Sequence, residues 1–155
     1  WAIYGYTACF RETNDSIFLN FAKDIADMIM DRVKTEDAIP YWDYDAPVTK
    51  ETPRDVSAAS VTASAMIELS TMVPDGQKYL DYAEKILKSL SSDAYLAKVG
   101  DNQGFILMHS VGSLPNGSEI DTPLNYADYY YLEALKRFME LKKLKVENGE
   151  LRVIQ

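Results

Sequence analysis

The stretch that decides the fold is residues 55–72, which read DVSAASVTASAMIELSTM. Serine and alanine occupy most of its first three turns, so very little side-chain bulk projects from a helix formed here. Helices approach one another more closely where the contacting side chains are small. The composition therefore predicts a helix at the centre of the packing, and Asp55 is typical of a residue that caps its start.

The other helical patterns fall into two kinds. Residues 15–33 and 75–90 are amphipathic, which predicts outer helices with one solvated side. Residues 1–11 and a last helix beginning near Pro123 are apolar around most of their circumference, which predicts helices buried on most sides. A ring of paired inner and outer helices is expected to show buried helices that alternate along the chain with partly solvated ones. The predicted fold class is all-α.

Signals for other secondary structure are few. Residues 105–108 are the best candidate for a short strand, and Asn148-Gly149 can form a tight turn near the end of the chain.

Composition excludes several classes of function. The net charge of −8 argues against a nucleic-acid partner, because phosphate binding needs clustered Lys and Arg. The longest apolar stretches are too short to span a membrane. The single cysteine, Cys9, excludes an internal disulfide and a thiolate metal cage, and its apolar neighbours predict that it is buried. A single histidine, His109, excludes a multi-histidine metal site.

The first residue is Trp1 rather than methionine, and no signal-peptide pattern follows it. We therefore expect the chain to begin inside a longer protein. The compartment stays open between the cytoplasm and the periplasm of a bacterium.

Two connections are longer than helix packing requires, residues 35–54 and 99–121, and long loops are often functional. The first contains YWDYD at 41–45, where aromatic rings alternate with carboxylates. This pattern suits a carbohydrate, whose carbons stack on rings and whose hydroxyls bond to carboxylates. The alternative is that Trp42 plugs the end of the helix bundle. Similarly, His109 in the second loop is either a structural group or a functional one.

Four segments recur in order in a known family: WAIYGY at 1–6, PYWD at 40–43, RDVSAA at 54–59 and YADYYYLEAL at 126–135. Together they resemble the C-terminal portion of the unsaturated glucuronyl hydrolases, glycoside hydrolase family 88. The resemblance implies an (α/α)6 barrel of alternating inner and outer helices. Residues 1–155 would be the C-terminal part of this single domain, and its N-terminal part would be absent from the chain.

The resemblance also implies an activity for the parent protein. Its substrates would be unsaturated uronic-acid oligosaccharides that polysaccharide lyases release from glycosaminoglycans or similar polymers. An aspartate would protonate the 4,5 double bond and assist the addition of water. No metal and no cofactor is expected. The catalytic aspartates belong to the missing half, so no catalytic residue is assigned and the 155-residue piece alone is expected to be inactive.

Residues with an implied substrate-binding role are carried over singly. Trp1 matches a tryptophan of the uronate pocket, and His109 falls where the family places a substrate-contacting histidine. Ser110 and Ser113 resemble a serine-x-x-serine-x-lysine pattern used for sulfated substrates, although Pro115 replaces the lysine.

The remaining candidates, Trp42, Asp43 and Arg54, belong to family motifs, where they either touch sugar or brace the barrel.

Two other interpretations of the chain stay open. One is the related unsaturated rhamnogalacturonyl hydrolases, and the other is a non-catalytic helical module that binds carbohydrate. If the chain is part of a closed ring, apolar flanks of its first and last helices should be exposed. The rest of the parent barrel, or another copy, is then expected to cover them.

Overall fold

The computed structural model describes residues 1–147, which form five α-helices and one short β-hairpin. Their bounds are α1 Ala2–Thr13, α2 Ser16–Arg32, α3 Val56–Ser70, α4 Gln77–Leu90, β1 Ser110–Ser113, β2 Ser118–Thr122 and α5 Asn125–Glu147. The all-α prediction is confirmed. The turn proposed at Asn148-Gly149 lies outside the described residues.

Helix α3 lies at the centre of the packing, as its small side chains predict. It packs against α1, α4 and α5, and nearly all of its residues are buried. The side chain of Asp55 caps its start by accepting a hydrogen bond of 3.0 Å from the backbone N–H of Ser57.

The two amphipathic helices also agree with the sequence pattern. Helix α2 begins after Asp15, whose side chain accepts from the N–H of Ile17 at 3.0 Å. Helix α4 turns one apolar face, which includes Tyr79, Ile86 and Leu90, toward the core. Each of these helices therefore has one buried and one solvated side.

Helices α1 and α5 differ from their prediction, because each is buried on one side only. In α1 the buried residues are Ile3 and Thr7, and Cys9, predicted to be buried, is exposed. In α5 four large apolar side chains are exposed, Tyr129, Leu132, Met139 and Leu144, with 60%, 51%, 69% and 55% of their surface accessible. We call the first three of these residues, Tyr129, Leu132 and Met139, the α5 flank. An apolar composition indicates that a helix is suited to burial, but burial also requires a neighbouring element. The elements within residues 1–147 cover only one side of α1 and of α5.

The hairpin was not predicted, and the strand proposed at 105–108 is wrong. That segment forms one isolated bridge, between Leu107 and Leu96. The N–H groups of Ile106 and Leu107 donate instead to the Asp128 carboxylate, at 2.8 and 2.9 Å. They are therefore not free to pair with a neighbouring strand.

The two strands are antiparallel, and their sequences show no clear alternation of apolar and polar residues. Ser110 pairs with Thr122, Val111 with Ile120 and Ser113 with Ser118. One extra residue of β2 therefore lies between the first two pairs, which is a β-bulge. Within residues 1–147, no helix combines the length and the apolar character needed to cross a bilayer.

Candidate functional site

The two long connections meet at the N-terminal end of α3. In the first, residues 33–55, the chain folds back so that Tyr41 bridges to Arg54 and the Asp55 N–H donates to the Pro40 carbonyl at 2.9 Å. The second docks through the Val56 N–H, which donates to the His109 carbonyl at 3.2 Å. The start of the central helix therefore fixes both loops.

Asp55 is the buried carboxylate on which these segments converge. Its Oδ1 accepts from the N–H and the hydroxyl of Ser57, at 3.0 and 2.7 Å, and from the N–H of Val111 at 3.3 Å. Burial raises the pKa of Asp55 and outweighs these hydrogen bonds, which act in the opposite direction. The cap is therefore also the hub of the loops.

Three cavities surround this end of the bundle. The first, of about 460 Å³, has Asp43, Tyr44 and Arg54 among its lining residues. The second, of about 490 Å³, is lined in part by Arg54 and His109, and we call it the histidine cavity. The third, of about 170 Å³, is lined in part by Trp1 and Tyr44. Arg54 thus lines both the first and the second cavity, and Tyr44 lines both the first and the third.

Arg54 is held by groups of the protein itself. It forms an ion pair of 3.3 Å with Asp37, donates to the Ile39 carbonyl, and lies over the ring of Tyr41 with 4.5 Å between Cζ and the centroid. The Tyr95 hydroxyl donates to the other Asp37 oxygen at 2.5 Å. This network braces the cavity wall while leaving part of the guanidinium accessible.

The pKa of Asp37 reflects the same network. Partial burial acts to raise it, but the hydrogen bonds from Tyr95 and the Ile39 N–H, together with the charge of Arg54, lower the pKa of this carboxyl overall. Burial and the neighbouring Asp37 raise the pKa of Tyr95. Both groups therefore keep the forms, carboxylate and phenol, that hydrogen-bond to each other.

His109 lines the second cavity in contact with two partners. Its Nδ1 lies 2.5 Å from Oδ1 of Asp121, and its ring meets the ring of Tyr95 edge-on, with 6.2 Å between centroids. The backbone of His109 has a left-handed φ of 68°. The imidazole is thus held at its Nδ1 edge, and His109 also lines the histidine cavity.

Trp1 and Asp43 are accessible from solvent. Trp1 is 64% exposed, and its ring contacts those of Tyr126 and Tyr130, at 5.9 and 5.2 Å between centroids. Asp43 accepts from the N–H of Asp45 at 2.7 Å. Asp43 lines the first cavity, and Trp1 lines the third. Trp1 and His109 therefore line different cavities, although both cavities are at the same end of the bundle.

The other three predicted residues lie outside these cavity walls. Trp42 is half-buried, and its N–H donates to the Pro53 carbonyl at 3.1 Å. Ser110 is fully buried, and no group within residues 1–147 hydrogen-bonds to its Oγ. Ser113 accepts a hydrogen bond of 2.8 Å from the Asn116 side chain.

Sequence reasoning missed Asp37 and Tyr95, and it did not predict the contact between His109 and Asp121. Asp37 and Tyr95 meet across 58 residues, and no motif links them. Within residues 1–147, no three His, Cys, Asp or Glu side chains converge as they would to hold a metal ion. The site offers aromatic faces, a guanidinium and an imidazole, groups that suit a hydroxylated, acidic ligand.

This chain is similar in sequence and in backbone to known glycosyl hydrolases. The sequence model of Glycosyl hydrolase family 47 matches residues 2–143. A crystal structure of an unsaturated glucuronyl hydrolase specific for heparin is 59% identical, has a TM-score of 0.90, and aligns with 92% of this chain and 39% of its own. The unsaturated glucuronyl hydrolase of Formosa agariphila is 45% identical over 91% of this chain.

A further crystal structure, an unsaturated glucuronyl hydrolase variant from Streptococcus agalactiae complexed with dGlcA-GalNAc6S, is 30% identical with a TM-score of 0.81. It aligns with 89% of this chain and 37% of its own. The chain spans about a third of the length of its curated relatives, 35% for the Formosa protein. These relatives are therefore about three times as long as the matched part.

The family model and the relatives agree on glycosyl hydrolases and differ on the family within them. The pairwise identities of 45% and 59% extend over nine-tenths of the chain, and they are more specific than the family 47 match. The backbone agreement confirms the predicted fold, part of an (α/α)6 barrel. The chain belongs to the glycosyl hydrolases and, within them, to the unsaturated glucuronyl hydrolase family.

Proposed function

We propose that the protein to which this chain belongs is a glycoside hydrolase acting on unsaturated glucuronyl oligosaccharides that polysaccharide lyases release. A carboxylic acid protonates the 4,5 double bond of the terminal sugar, and water adds at the neighbouring carbon. The hydrated sugar is unstable, opens, and releases the rest of the saccharide. The catalytic aspartates lie outside this chain, which supplies substrate-binding loops.

The observation that carries the proposal is the match to the heparin-specific enzyme, at 59% identity and a TM-score of 0.90. This close agreement of the two backbones supports similar positions for the loops of the two proteins. Relatives at 28–30% identity are named unsaturated chondroitin disaccharide hydrolases. We therefore infer that heparin-derived saccharides are better substrates than chondroitin-derived ones. Pro115, in place of the lysine of the sulfate-contacting pattern, is consistent with a different sulfate preference.

Four of the predicted residues are suited to contact saccharide directly. Trp1 offers an exposed ring face for stacking on sugar carbons. Asp43 and His109 offer hydrogen-bonding groups to hydroxyls, and Arg54 offers a charged partner for an acidic group. Trp42 and Ser113 are better suited to hold the loops in place, because their hydrogen bonds are with the protein. Ser110 is buried within the hairpin and is likewise better suited to a structural role.

We further propose that the chain is the C-terminal part of the barrel and that the rest of the parent covers its apolar flanks. The exposed α5 flank supports this arrangement. A chain that spans about a third of its relatives leaves ample sequence to form the remaining helices.

The experiment is an assay of the full-length protein on lyase digests of heparin, chondroitin and rhamnogalacturonan, following loss of the absorbance of the conjugated double bond. We expect the largest kcat/KM on the heparin digest. Greatest activity on the rhamnogalacturonan digest would favour the related rhamnogalacturonyl hydrolases. Binding without loss of absorbance on any digest would contradict the proposal and favour a non-catalytic module.

A pair of variants tests the role of the loops in the same assay. Trp1→Ala should raise KM by roughly tenfold by removing a stacking surface, whereas Trp1→Phe should retain most of the binding. The isolated residues 1–155 should show no turnover. Equal KM values for the Ala variant and the unmodified protein would contradict a saccharide contact at Trp1.

A further inference from the structure

The bulge in the hairpin occurs at Asp121. Ser110 pairs with Thr122 and Val111 with Ile120, so Asp121 is the extra residue of β2. Its φ is +51°, and that of His109, which precedes β1, is +68°. Left-handed backbone is uncommon for residues other than glycine, and Asp and His are among those that tolerate it. Two such residues therefore lie opposite each other at one end of the hairpin.

The two irregular positions share one contact. Nδ1 of His109 lies 2.5 Å from Oδ1 of Asp121. A β-bulge redirects the side chain of its extra residue, and bulges are frequent beside active sites. The irregular backbone thus has a specific result, a carboxylate held against one nitrogen of an imidazole that lines the histidine cavity.

We propose that Asp121 is a positioning residue that fixes the tautomer and orientation of His109. A carboxylate is only an acceptor, so Nδ1 must carry the proton in this contact. In a neutral imidazole, Nε2 is then an acceptor, and it is the ring nitrogen left for a ligand in the histidine cavity. This inference rests on the proposed function, since the ligand would be a hydroxyl group of the saccharide.

Two variants separate positioning from mere tolerance of the backbone. Asp121→Gly relieves the left-handed φ and removes the acceptor. Asp121→Asn tolerates the same φ and keeps an acceptor oxygen. Glu119→Gly is the matched control, because Glu119 is in the same strand, carries the same charge and has a φ of +51° as well. The difference between the two residues is the contact with His109, which is made by Oδ1 of Asp121.

The test combines ¹⁵N NMR of histidine-labelled full-length protein with kinetics on the unsaturated saccharide. The His109 signals are assigned by their loss in His109→Gln. We expect the Nδ1–H tautomer in the unmodified protein, its retention in Asp121→Asn, and a shift toward Nε2–H in Asp121→Gly. KM should rise about tenfold in Asp121→Gly with a smaller change in kcat, and Asp121→Asn should be intermediate. Glu119→Gly should leave the tautomer and KM unchanged.

An Nε2–H tautomer in the unmodified protein would overturn the proposal, and this measurement requires no variant to fold. An unchanged tautomer and KM in a folded Asp121→Gly would overturn it too. An Nδ1–H tautomer that is lost in Asp121→Gly, in a protein without turnover of any unsaturated saccharide, would support the positioning role and contradict the proposed function.

Discussion

The backbone N–H of Val111 donates a hydrogen bond of 3.3 Å to Oδ1 of Asp55, and so joins the hairpin to the start of the central helix. The same oxygen caps α3 through Ser57. A helix cap fixes local structure, but this one also fixes the loop that carries His109. The position of the histidine cavity therefore depends on a carboxylate that is 8% exposed.

The first prediction concerns the pH dependence of stability through Asp55. Burial raises its pKa in the folded state, so between the unfolded pKa, about 4, and the folded one the native protein holds a proton that the unfolded chain has lost. The stability contributed by Asp55 is therefore present at low pH and declines as the pH rises through that window. Asp55→Asn keeps a capping oxygen and should lack this decline.

Urea unfolding of the full-length protein and of Asp55→Asn at several pH values between 4 and 7 measures the effect. As the pH increases, the free energy of unfolding of Asp55→Asn should rise relative to that of the unmodified protein. Asp15→Asn, a change at the exposed cap of α2, is the control. A difference that does not vary with pH would contradict a raised pKa at Asp55.

The second prediction concerns Tyr95, which supports the cavity from behind Asp37. Tyr95→Phe removes the 2.5 Å hydrogen bond to this carboxylate, and should lower the free energy of unfolding by about 1–3 kcal/mol, as expected for a hydrogen bond to a charged group. Because the hydrogen bond lowers the pKa of Asp37, its stabilisation is present above the unfolded pKa and is lost as the pH falls through the folded one.

The variant should therefore differ most from the unmodified protein near neutral pH and least in acid. Ser118→Ala, at an exposed position of the hairpin, is the control for loss of a hydroxyl. Denaturant unfolding at neutral and acid pH distinguishes the two variants. Equal effects of both substitutions would show that the Tyr95 hydroxyl does not contribute through Asp37.

Local signals made the helices and their starts predictable. Asp15 and Asp55 are capping residues directly before helical patterns, and both accept the expected hydrogen bonds. The small residues of α3 predicted its central position correctly, because bulk limits how closely helices can pack whatever the order of the chain. The cavity walls at Asp43 and Arg54 also lie in a loop singled out by its length and composition.

Features that depend on distant contacts could not be predicted. Asp37 and Tyr95 are 58 residues apart, and the hairpin is held by Asp55 rather than by an apolar pattern of its own. The exposure of Cys9 and of Met139 depends on which elements cover α1 and α5. Apolar periodicity predicts which residues favour burial, but not whether a covering element is present.

The third prediction concerns Glu133, which links three helices. It accepts from the Tyr4 hydroxyl of α1 at 3.1 Å and from the Ser64 hydroxyl of α3 at 2.5 Å, and pairs with Arg137 at 3.4 Å. Glu133→Gln weakens the contacts that use its charge, and should destabilise the full-length protein by about 1–3 kcal/mol.

Glu140→Gln is the matched control on the same helix. Its ion pair with Lys136 is 4.0 Å long and exposed, so the change should be within about 0.5 kcal/mol. Thermal and urea unfolding of both variants measure the difference. Comparable stabilities would contradict a structural role for Glu133 between the helices.

The fourth prediction concerns the α5 flank. Leu132 and Met139 are largely exposed in residues 1–147, and exposed apolar patches promote association. The isolated residues 1–155 should self-associate, and Leu132→Lys with Met139→Lys should reduce this association, as measured by sedimentation velocity. In the full-length protein the same pair should destabilise the fold, because the rest of the barrel would bury two charges there. A monomeric, cooperatively folded isolated chain, or a full-length protein unaffected by both lysines, would contradict coverage of this flank by the parent.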